Sequence, residues 1–199
     1  MSFSPEQRQF LEHANDLLAA RMKDKKKRYV HSTLVAKTAY KLAQVYGVDE
    51  FEATAAGLLH DWDKVLDNEE TLLRATNYGI KLEDAPIDCL PFFHGPLAAC
   101  ELPHIFPELS EDVLHAIAVH TIACDAMNPL DMVIFIADAI EPNRNGEVIE
   151  SLRSLVGEVE LEELFFQTFT TGLIFVLQNG RHLYGGAASI YNHYAARRN

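Results

Sequence analysis

Apolar residues recur every three or four positions along most of the chain, the spacing that predicts amphipathic α-helices. The first stripe (Phe10 to Leu18) follows Ser4 and Pro5, which are typical of a helix start. Asp49 is a predicted cap of a later helix, and glycines such as Gly47 and Gly180 are predicted to end others. The predicted helices cover about 4–18, 31–46, 49–60, 69–78, 95–106, 110–120, 129–140, 147–156, 161–179 and 186–196.

No segment shows the period-two alternation of a β-strand, and no hairpin signal, internal repeat or low-complexity linker is present. The stretch 80–93 contains Pro86 and Pro91 and is predicted to be a loop. A chain of 199 residues with 48% hydrophobic content can bury one substantial core. We therefore predict a single all-α domain over 1–199. Within it, 1–27 form an N-terminal helix and basic segment, and 28–196 form the helical core.

The net charge of −12 argues against general binding to nucleic acid or to an anionic membrane. The exception is RMKDKKKR, from Arg21 to Arg28, which holds six of the seventeen basic residues and one acid. Such a run is either a solvated helix end or linker, or a local funnel for a polyanionic ligand. The second alternative gains weight because His31 follows closely.

Three cysteines without CxxC spacing (Cys89, Cys100 and Cys124) predict no disulfide framework. A reducing compartment suits this pattern. The N-terminus lacks a signal-peptide segment, and no run of eighteen apolar residues occurs. A cytoplasmic location is therefore expected.

Histidines and carboxylates fall at the predicted ends of helices. The apolar third helix runs into LLHDWDK, where buried charge is costly unless it is paired or bound to a metal. Imidazole and carboxylate donors suit iron, manganese and zinc, and helix ends can converge on one point in a bundle. Each histidine alone is more often a core or surface residue, so the prediction rests on the set. Its members are His31, His60, Asp61, His94, His120 and Asp138.

Asp138 lies in the apolar segment MVIFIADAIEP, and an ionised carboxylate there needs a partner. One alternative is a bound metal ion. The other is a purely structural partner, either a buried arginine or backbone amides. Trp62, inside LLHDWDK, is a candidate either for packing or for stacking on a base.

The order His31, His60-Asp61, Asp138 resembles the HD-domain metal-dependent phosphohydrolases, an all-helical superfamily. His94 and His120 match the further histidines of members that hold two metals. RYVHSTLVAKTAYKLAQVYGVD, AAGLLHDWDK, HGPLAA, VHT, FIADAIEPNR and NGRHLY…YN resemble the bacterial YqeK-type group, the symmetrical diadenosine tetraphosphate hydrolases. The chain departs from that group in two places. Where the group commonly has HTTG, this chain has His120-Thr121-Ile122-Ala123, which ends in Ala123, and between Asp61 and Lys64, where the group favours a small residue, it has Asp63.

The resemblance implies a centre of two divalent or mixed-valence transition-metal ions, with iron expected and manganese or zinc as alternatives. His31, His60, Asp61 and Asp138 would hold one ion, and His94, His120 and the shared Asp61 would hold the other. Two ions about 3.5–4 Å apart can activate a water as hydroxide and clamp phosphoryl oxygens. Attack in the middle of the tetraphosphate would release two ADP.

The same resemblance implies roles for side chains that do not bind metal. Lys64 and Arg144 are expected to act on the phosphate chain, and Arg28 and Thr121 are candidates for further phosphate contacts. For Arg28 the alternative is a surface ion pair, and for Thr121 it is a helix cap.

Two rival functions remain at the level of the sequence. One is an HD-domain phosphohydrolase acting on another nucleotide, such as a guanosine polyphosphate or a deoxynucleotide. The other is a non-catalytic nucleotide sensor, which is disfavoured because all six ligand positions are filled. In each case the expected partner is a small-molecule nucleotide, with no nucleic acid and no membrane; a homodimer is left open.

Overall fold

The computed structural model describes residues 3–81 and 90–198, and within them it is built of α-helices. We number the helices in chain order. They are α1 (Pro5–Arg21), α2 (Lys26–Tyr46), α3 (Glu50–Leu59), α4 (Asn68–Asn77), α5 (His94–Glu101), α6 (Glu111–Val119), α7 (Pro129–Ile140), α8 (Glu147–Ser154), α9 (Leu161–Gln178) and α10 (Ala187–Ala196). Two 3₁₀ turns, Leu90–Phe92 and Leu102–His104, complete the regular structure. The described residues contain no β-strand, only an isolated bridge between Val156 and Val159, so the all-α prediction is confirmed.

The local signals for helix ends act as predicted. Ser4 forms a capping box with Gln7, and the Asp49 side chain accepts a hydrogen bond from the Glu52 amide. Gly47, which ends α2, has a left-handed φ of 70°, a conformation that costs glycine little. These caps satisfy backbone groups that a helix end would otherwise leave unpaired.

Three predicted segments differ from the structure in ways that have a clear physical reason or bear on the site. α2 begins at Lys26, more than a turn before His31, because the basic residues there are good helix formers. The helix predicted over 95–106 ends at Glu101, and Pro103 lies in the 3₁₀ turn that follows, since proline cannot continue an α-helix. Within the loop predicted over 80–93, Leu90–Phe92 form a turn, whereas Pro86 and Cys89 lie outside the described residues.

The core is organised around α3 and α7. α3 packs against α1, α2, α6 and α7, and every residue from Ala53 to Leu59 is buried. α7 packs against α2, α3, α6 and α9, and it contributes Val133, Ile134 and Ile136 to the same core cluster. Because these helices cross closely, the C-terminal ends of α3, α6 and α7 meet the N-terminal parts of α2 and α5.

Among the described helices, none combines the length and the apolar content needed to cross a membrane. Cys100 and Cys124 are free thiols and are partly buried.

Candidate metal centre

Four histidine rings form a row at the meeting point of α2, α3, α5 and α6. The ring centroids of His31 and His60 are 5.3 Å apart, those of His60 and His120 are 4.9 Å apart, and those of His120 and His94 are 4.9 Å apart. His60 and His120 directly follow α3 and α6, and His94 begins α5. The sequence predicted helix-end positions for all four; this holds for His60, His94 and His120, whereas His31 lies about one and a half turns inside α2. The structure brings the four rings together.

Two glycines allow the helices that carry these histidines to come close. A Cβ atom on Gly57 would lie 2.9 Å from the Cα of Ala36, so only glycine lets α3 lie against α2 at this depth. A Cβ atom on Gly95 would lie 2.7 Å from the carbonyl oxygen of Ile117, at the end of α6. The first contact brings His60 towards His31, and the second brings His94 towards His120.

Backbone carbonyl groups fix the orientation of three of the rings. The Nδ1 atom of His60 lies 2.8 Å from the Gly57 oxygen, that of His120 lies 2.7 Å from the Ile117 oxygen, and that of His94 lies 2.9 Å from the Pro91 oxygen. Since a carbonyl oxygen only accepts, each Nδ1 donates the hydrogen and each Nε2 keeps a free lone pair in the neutral ring. This is the arrangement expected of metal-binding histidines.

Asp61 lies beside the middle of the row. Its Oδ1 atom is 3.2 Å from His94 Nε2 and 3.7 Å from the Nε2 atoms of both His60 and His120. Burial acts to raise the pKa of Asp61, but the facing histidines and Lys64 outweigh it and hold the pKa well below its usual value. The carboxylate is therefore ionised and lies within reach of three imidazoles.

Asp138 and Glu141 bracket the ring of His31 at the other end of the row. His31 Nε2 lies 3.0 Å from Asp138 Oδ1, and His31 Nδ1 lies 3.2 Å from Glu141 Oε1. The buried Glu141 also accepts a hydrogen bond from the Asn143 amide at 2.6 Å. Sequence reasoning missed Glu141. Its position three residues after Asp138, near the end of a helix, was the available signal.

Protonation differs between the two ends of the row. Burial lowers the pKa of His60 and of His94 to about 4, so both are neutral near pH 7. For His31, burial acts to lower the pKa, but the hydrogen bond and the charge of Asp138 outweigh it and raise the pKa. Burial acts to raise the pKa of Asp138, but the hydrogen bond from His31 outweighs it, and the pKa lies below its usual value.

The donor set fits transition-metal ions. Two groups have their donor atoms within 4.8 Å of one another: His31, His60 and Asp138, and His60, Asp61 and His120. His60 Nε2 is buried without a hydrogen-bond partner, which is costly unless another ligand occupies its lone pair. Nitrogen and carboxylate oxygen are donors that iron, manganese and zinc accept. All six residues selected from the sequence lie in this one cluster.

A cleft of about 670 Å³ opens onto the His31 end of the row. The basic run contributes Lys26, Lys27 and Arg28 to its lining, whereas Arg21 points elsewhere. These three side chains face the cleft, and the funnel for a polyanionic ligand stays a prediction. The cleft is also lined by His31, Asp61, Lys64, Asp138, Glu141 and Arg144.

The four residues selected as phosphate contacts all touch the candidate metal ligands. Lys64 Nζ lies 3.0 Å from His94 Nε2, and Arg28 lies 3.8 Å from Asp61. Arg144 forms an ion pair with Asp138 at 2.7 Å. The hydroxyl oxygen of Thr121 lies 3.0 Å from His120 Nε2, so it faces the centre.

The two positions that depart from the resembled group have specific surroundings. Ala123 has a left-handed φ of 60°, a conformation that glycine adopts at less cost. Asp63 is buried and forms an ion pair with Arg21 of α1. Trp62, between Asp61 and Asp63, is only 4% exposed and packs against Phe106. The structure thus selects packing over base stacking for Trp62.

Comparison with known proteins gives consistent results. The family described as HD domain matches residues 28–143. The chain is 32% identical over 178 residues to the symmetrical bis(5'-nucleosyl)-tetraphosphatase of Staphylococcus aureus, covering 88% of this chain and 90% of that protein. The Bacillus subtilis protein of the same name is 30% identical over 166 residues, covering 83% and 88%. A crystal structure described as a predicted HD superfamily hydrolase involved in NAD metabolism, from Clostridium acetobutylicum, superposes with a TM-score of 0.83 at 31% identity, covering 94% and 97%.

Proposed function

The chain belongs to the HD-domain family, and we propose that it is a metal-dependent hydrolase that cleaves diadenosine tetraphosphate symmetrically into two ADP. Three relatives at 30–32% identity are named symmetrical bis(5'-nucleosyl)-tetraphosphatases. The observation that carries the proposal is the row of four imidazoles whose Nε2 atoms face Asp61 and Asp138 beside a basic cleft.

We assign the ligands to two metal positions that share Asp61. His31, His60, Asp61 and Asp138 would hold one ion, and His94, His120 and Asp61 would hold the second. Bound transition metals supply a nucleophilic water at neutral pH and neutralise charge on the phosphoryl oxygens. Iron is the metal we propose from the family resemblance, and manganese or zinc accept the same donors.

The basic side chains of the cleft have a separate task. Lys64 and Arg144 neutralise the phosphate chain and set which phosphorus lies at the centre, and Arg28 extends this contact at the rim. In the structure Lys64 contacts His94, and Arg144 forms an ion pair with Asp138. Metal ions would take over those donor atoms, which leaves the substrate phosphates as partners for both cations.

We expect Thr121 to position the substrate from the opposite end of the imidazole row. Its hydroxyl lies 3.0 Å from His120 Nε2 and 3.2 Å from His94 Nε2. A hydroxyl can donate to a phosphate oxygen while it accepts from another group.

The free thiols of Cys100 and Cys124 agree with a proposed cytoplasmic location, where diadenosine tetraphosphate would be met.

The proposal is tested by stripping the protein of metal with a chelator and reloading it anaerobically with Fe²⁺, Mn²⁺ or Zn²⁺. Each preparation is assayed against diadenosine tetraphosphate, a guanosine polyphosphate and deoxynucleoside triphosphates. Rapid cleavage of diadenosine tetraphosphate, restored only by metal, is the expected result. Faster hydrolysis of another nucleotide would assign the chain to a different phosphohydrolase activity. Tight binding of nucleotides without turnover by any metal form would make it a sensor.

A further inference from the structure

A second hollow lies at the His94–His120 end of the imidazole row, away from the basic cleft. Its volume is about 130 Å³, and Thr121 forms part of its wall. Because the Thr121 hydroxyl contacts both His120 and His94, this one residue links the hollow to the metal centre. The role proposed for the metal centre does not account for this space.

The lining of the hollow is apolar and aromatic, in contrast to the basic cleft. The rings of Phe92 and Tyr184 meet edge to face, with centroids 6.0 Å apart. Along α9, Gly172, Leu173 and Val176 form another wall. The aromatic side chains that contribute to the lining are Phe92, Phe135, Phe169 and Tyr184.

Part of a sequence motif that takes no part in the metal centre also lines the hollow. In NGRHLY, the last three residues (His182, Leu183 and Tyr184) line the hollow, between α9 and α10. Ile122, which follows Thr121 after α6, lines it from the other side. The motif is therefore part of a cavity wall next to the site of chemistry.

We propose that this hollow binds one adenine base of diadenosine tetraphosphate, an inference that rests on the proposed function. Symmetrical cleavage places one adenosine and two phosphates on each side of the attacked bond. The two bases then have separate positions relative to the metal centre, and we assign one of them to the hollow. Polyphosphate suits the cleft with its Lys26, Lys27 and Arg28, whereas a flat base suits a wall of aromatic rings.

The size of the hollow fits this assignment. Pockets that enclose a whole drug-sized ligand measure roughly 300–1,000 Å³, so a hollow of about 130 Å³ takes a single ring system. The base is held by stacking and burial, which every base can exploit, more than by hydrogen bonds to its edge. Loss of such a contact is expected to weaken binding by roughly fivefold or more.

The decisive variant is Gly172→Leu, which adds bulk to the wall of the hollow. A Cβ atom on Gly172 would meet no heavy atom within 4 Å, so the new side chain has room without displacing the backbone. Gln178→Leu is the matched control, because it adds leucine at an exposed position of the same helix that does not line the hollow. Tyr184→Leu is a second variant that keeps the wall apolar and removes a ring.

The measurement compares KM for diadenosine tetraphosphate with Ki for inorganic tetraphosphate, which has no base, on the metal-loaded enzyme. We expect Gly172→Leu and Tyr184→Leu to raise KM by about fivefold or more and to leave the tetraphosphate Ki unchanged. Gln178→Leu should change neither value. An unchanged KM in both variants, or an equal rise of KM and Ki, would overturn the base pocket.

Failure of the proposed function would have a different signature. If the wild-type enzyme cleaves no diadenosine tetraphosphate, the intact compound becomes a ligand whose Kd can be measured by calorimetry. The base pocket then predicts the same selective loss of affinity in Gly172→Leu, and equal Kd values for wild type and variant would contradict it.

Discussion

Arg21 forms an ion pair with the buried carboxylate of Asp63, and this pair joins α1 to the turn carrying Asp61. Arg21 Nε also donates to the Trp62 carbonyl oxygen at 2.8 Å, and its guanidinium lies 4.9 Å from the centroid of the Trp62 ring. Burial and the nearby Glu101 raise the pKa of Asp63 to about 6 despite this pairing. One arginine thus holds two successive residues next to a candidate metal ligand.

Breaking this pair should lower the free energy of unfolding and make the position of the neighbouring candidate ligand Asp61 less fixed. In Arg21→Met the Asp63 carboxylate stays buried without its partner, which should cost on the order of 3 kcal/mol of the free energy of unfolding at pH 8. The cost should be smaller at pH 5, where Asp63 can take up a proton. Urea unfolding of the metal-free protein at the two pH values measures both effects.

The control for Arg21 is Arg198→Met, which breaks the more exposed pair between Arg198 and Glu163. Exposed pairs contribute at most about 1 kcal/mol, so this variant should remain close to wild type. Equal stability losses for Arg21→Met and Arg198→Met would show that the buried pair has no special role.

Asp61→Asn should reduce activity more than a change at any other candidate ligand, since only Asp61 is assigned to both metal positions. Loss of a group that merely supports a ligand typically costs 10–100-fold, so loss of Asp61 should exceed about 100-fold. Elemental analysis should show a lower metal content. Asp125→Asn, at an exposed position, is the control. Turnover near the wild-type rate in Asp61→Asn, with loss in His94→Ala, would reverse the assignment.

Glu141 should act as a positioning residue for His31. Removing its carboxylate in Glu141→Ala frees His31 Nδ1, and we expect metal affinity to fall by about 10–100-fold. Glu141→Gln keeps an acceptor and should lose less. Competition with a chromophoric chelator gives the affinities, and Glu147→Ala, at the exposed start of α8, is the control. If Glu141→Ala binds metal as tightly as wild type, His31 does not depend on Glu141.

These residues also show what the sequence could and could not predict. Helix starts at Ser4 and Asp49 follow from local capping, and the six candidate ligands follow from their spacing and from the family resemblance. The close approaches at Gly57 and Gly95 depend on which backbone lies opposite, and the sequence does not contain that information. The partners Arg21 and Asp63 are 42 positions apart, and only the packing of α1 on α3 brings them together.

The buried His60 should make the metal-free protein sensitive to acid. Burial lowers the pKa of His60 to about 4, whereas an unfolded histidine has a pKa near 6.5. Between these pH values the unfolded state binds more protons, so stability falls as the pH falls. His31 and Asp63 have raised pKa values and act in the opposite direction.

The contribution of His60 is isolated with His60→Asn. Between pH 7.5 and pH 5, the wild-type protein should lose on the order of 2 kcal/mol more free energy of unfolding than the variant does. Urea unfolding of both metal-free proteins at the two pH values gives the comparison. Parallel losses in the two proteins would show that His60 is not buried in its neutral form.

The central claim is that the metal centre directs attack to the middle of the tetraphosphate. Hydrolysis of diadenosine tetraphosphate in ¹⁸O-labelled water, followed by chromatography and mass spectrometry of the products, tests it most directly. We predict ADP as the only nucleotide product, with one ¹⁸O atom on the terminal phosphate of one of every two ADP molecules. Equal amounts of AMP and ATP would contradict the claim, because they would show that the anhydride bridge next to the central one is broken.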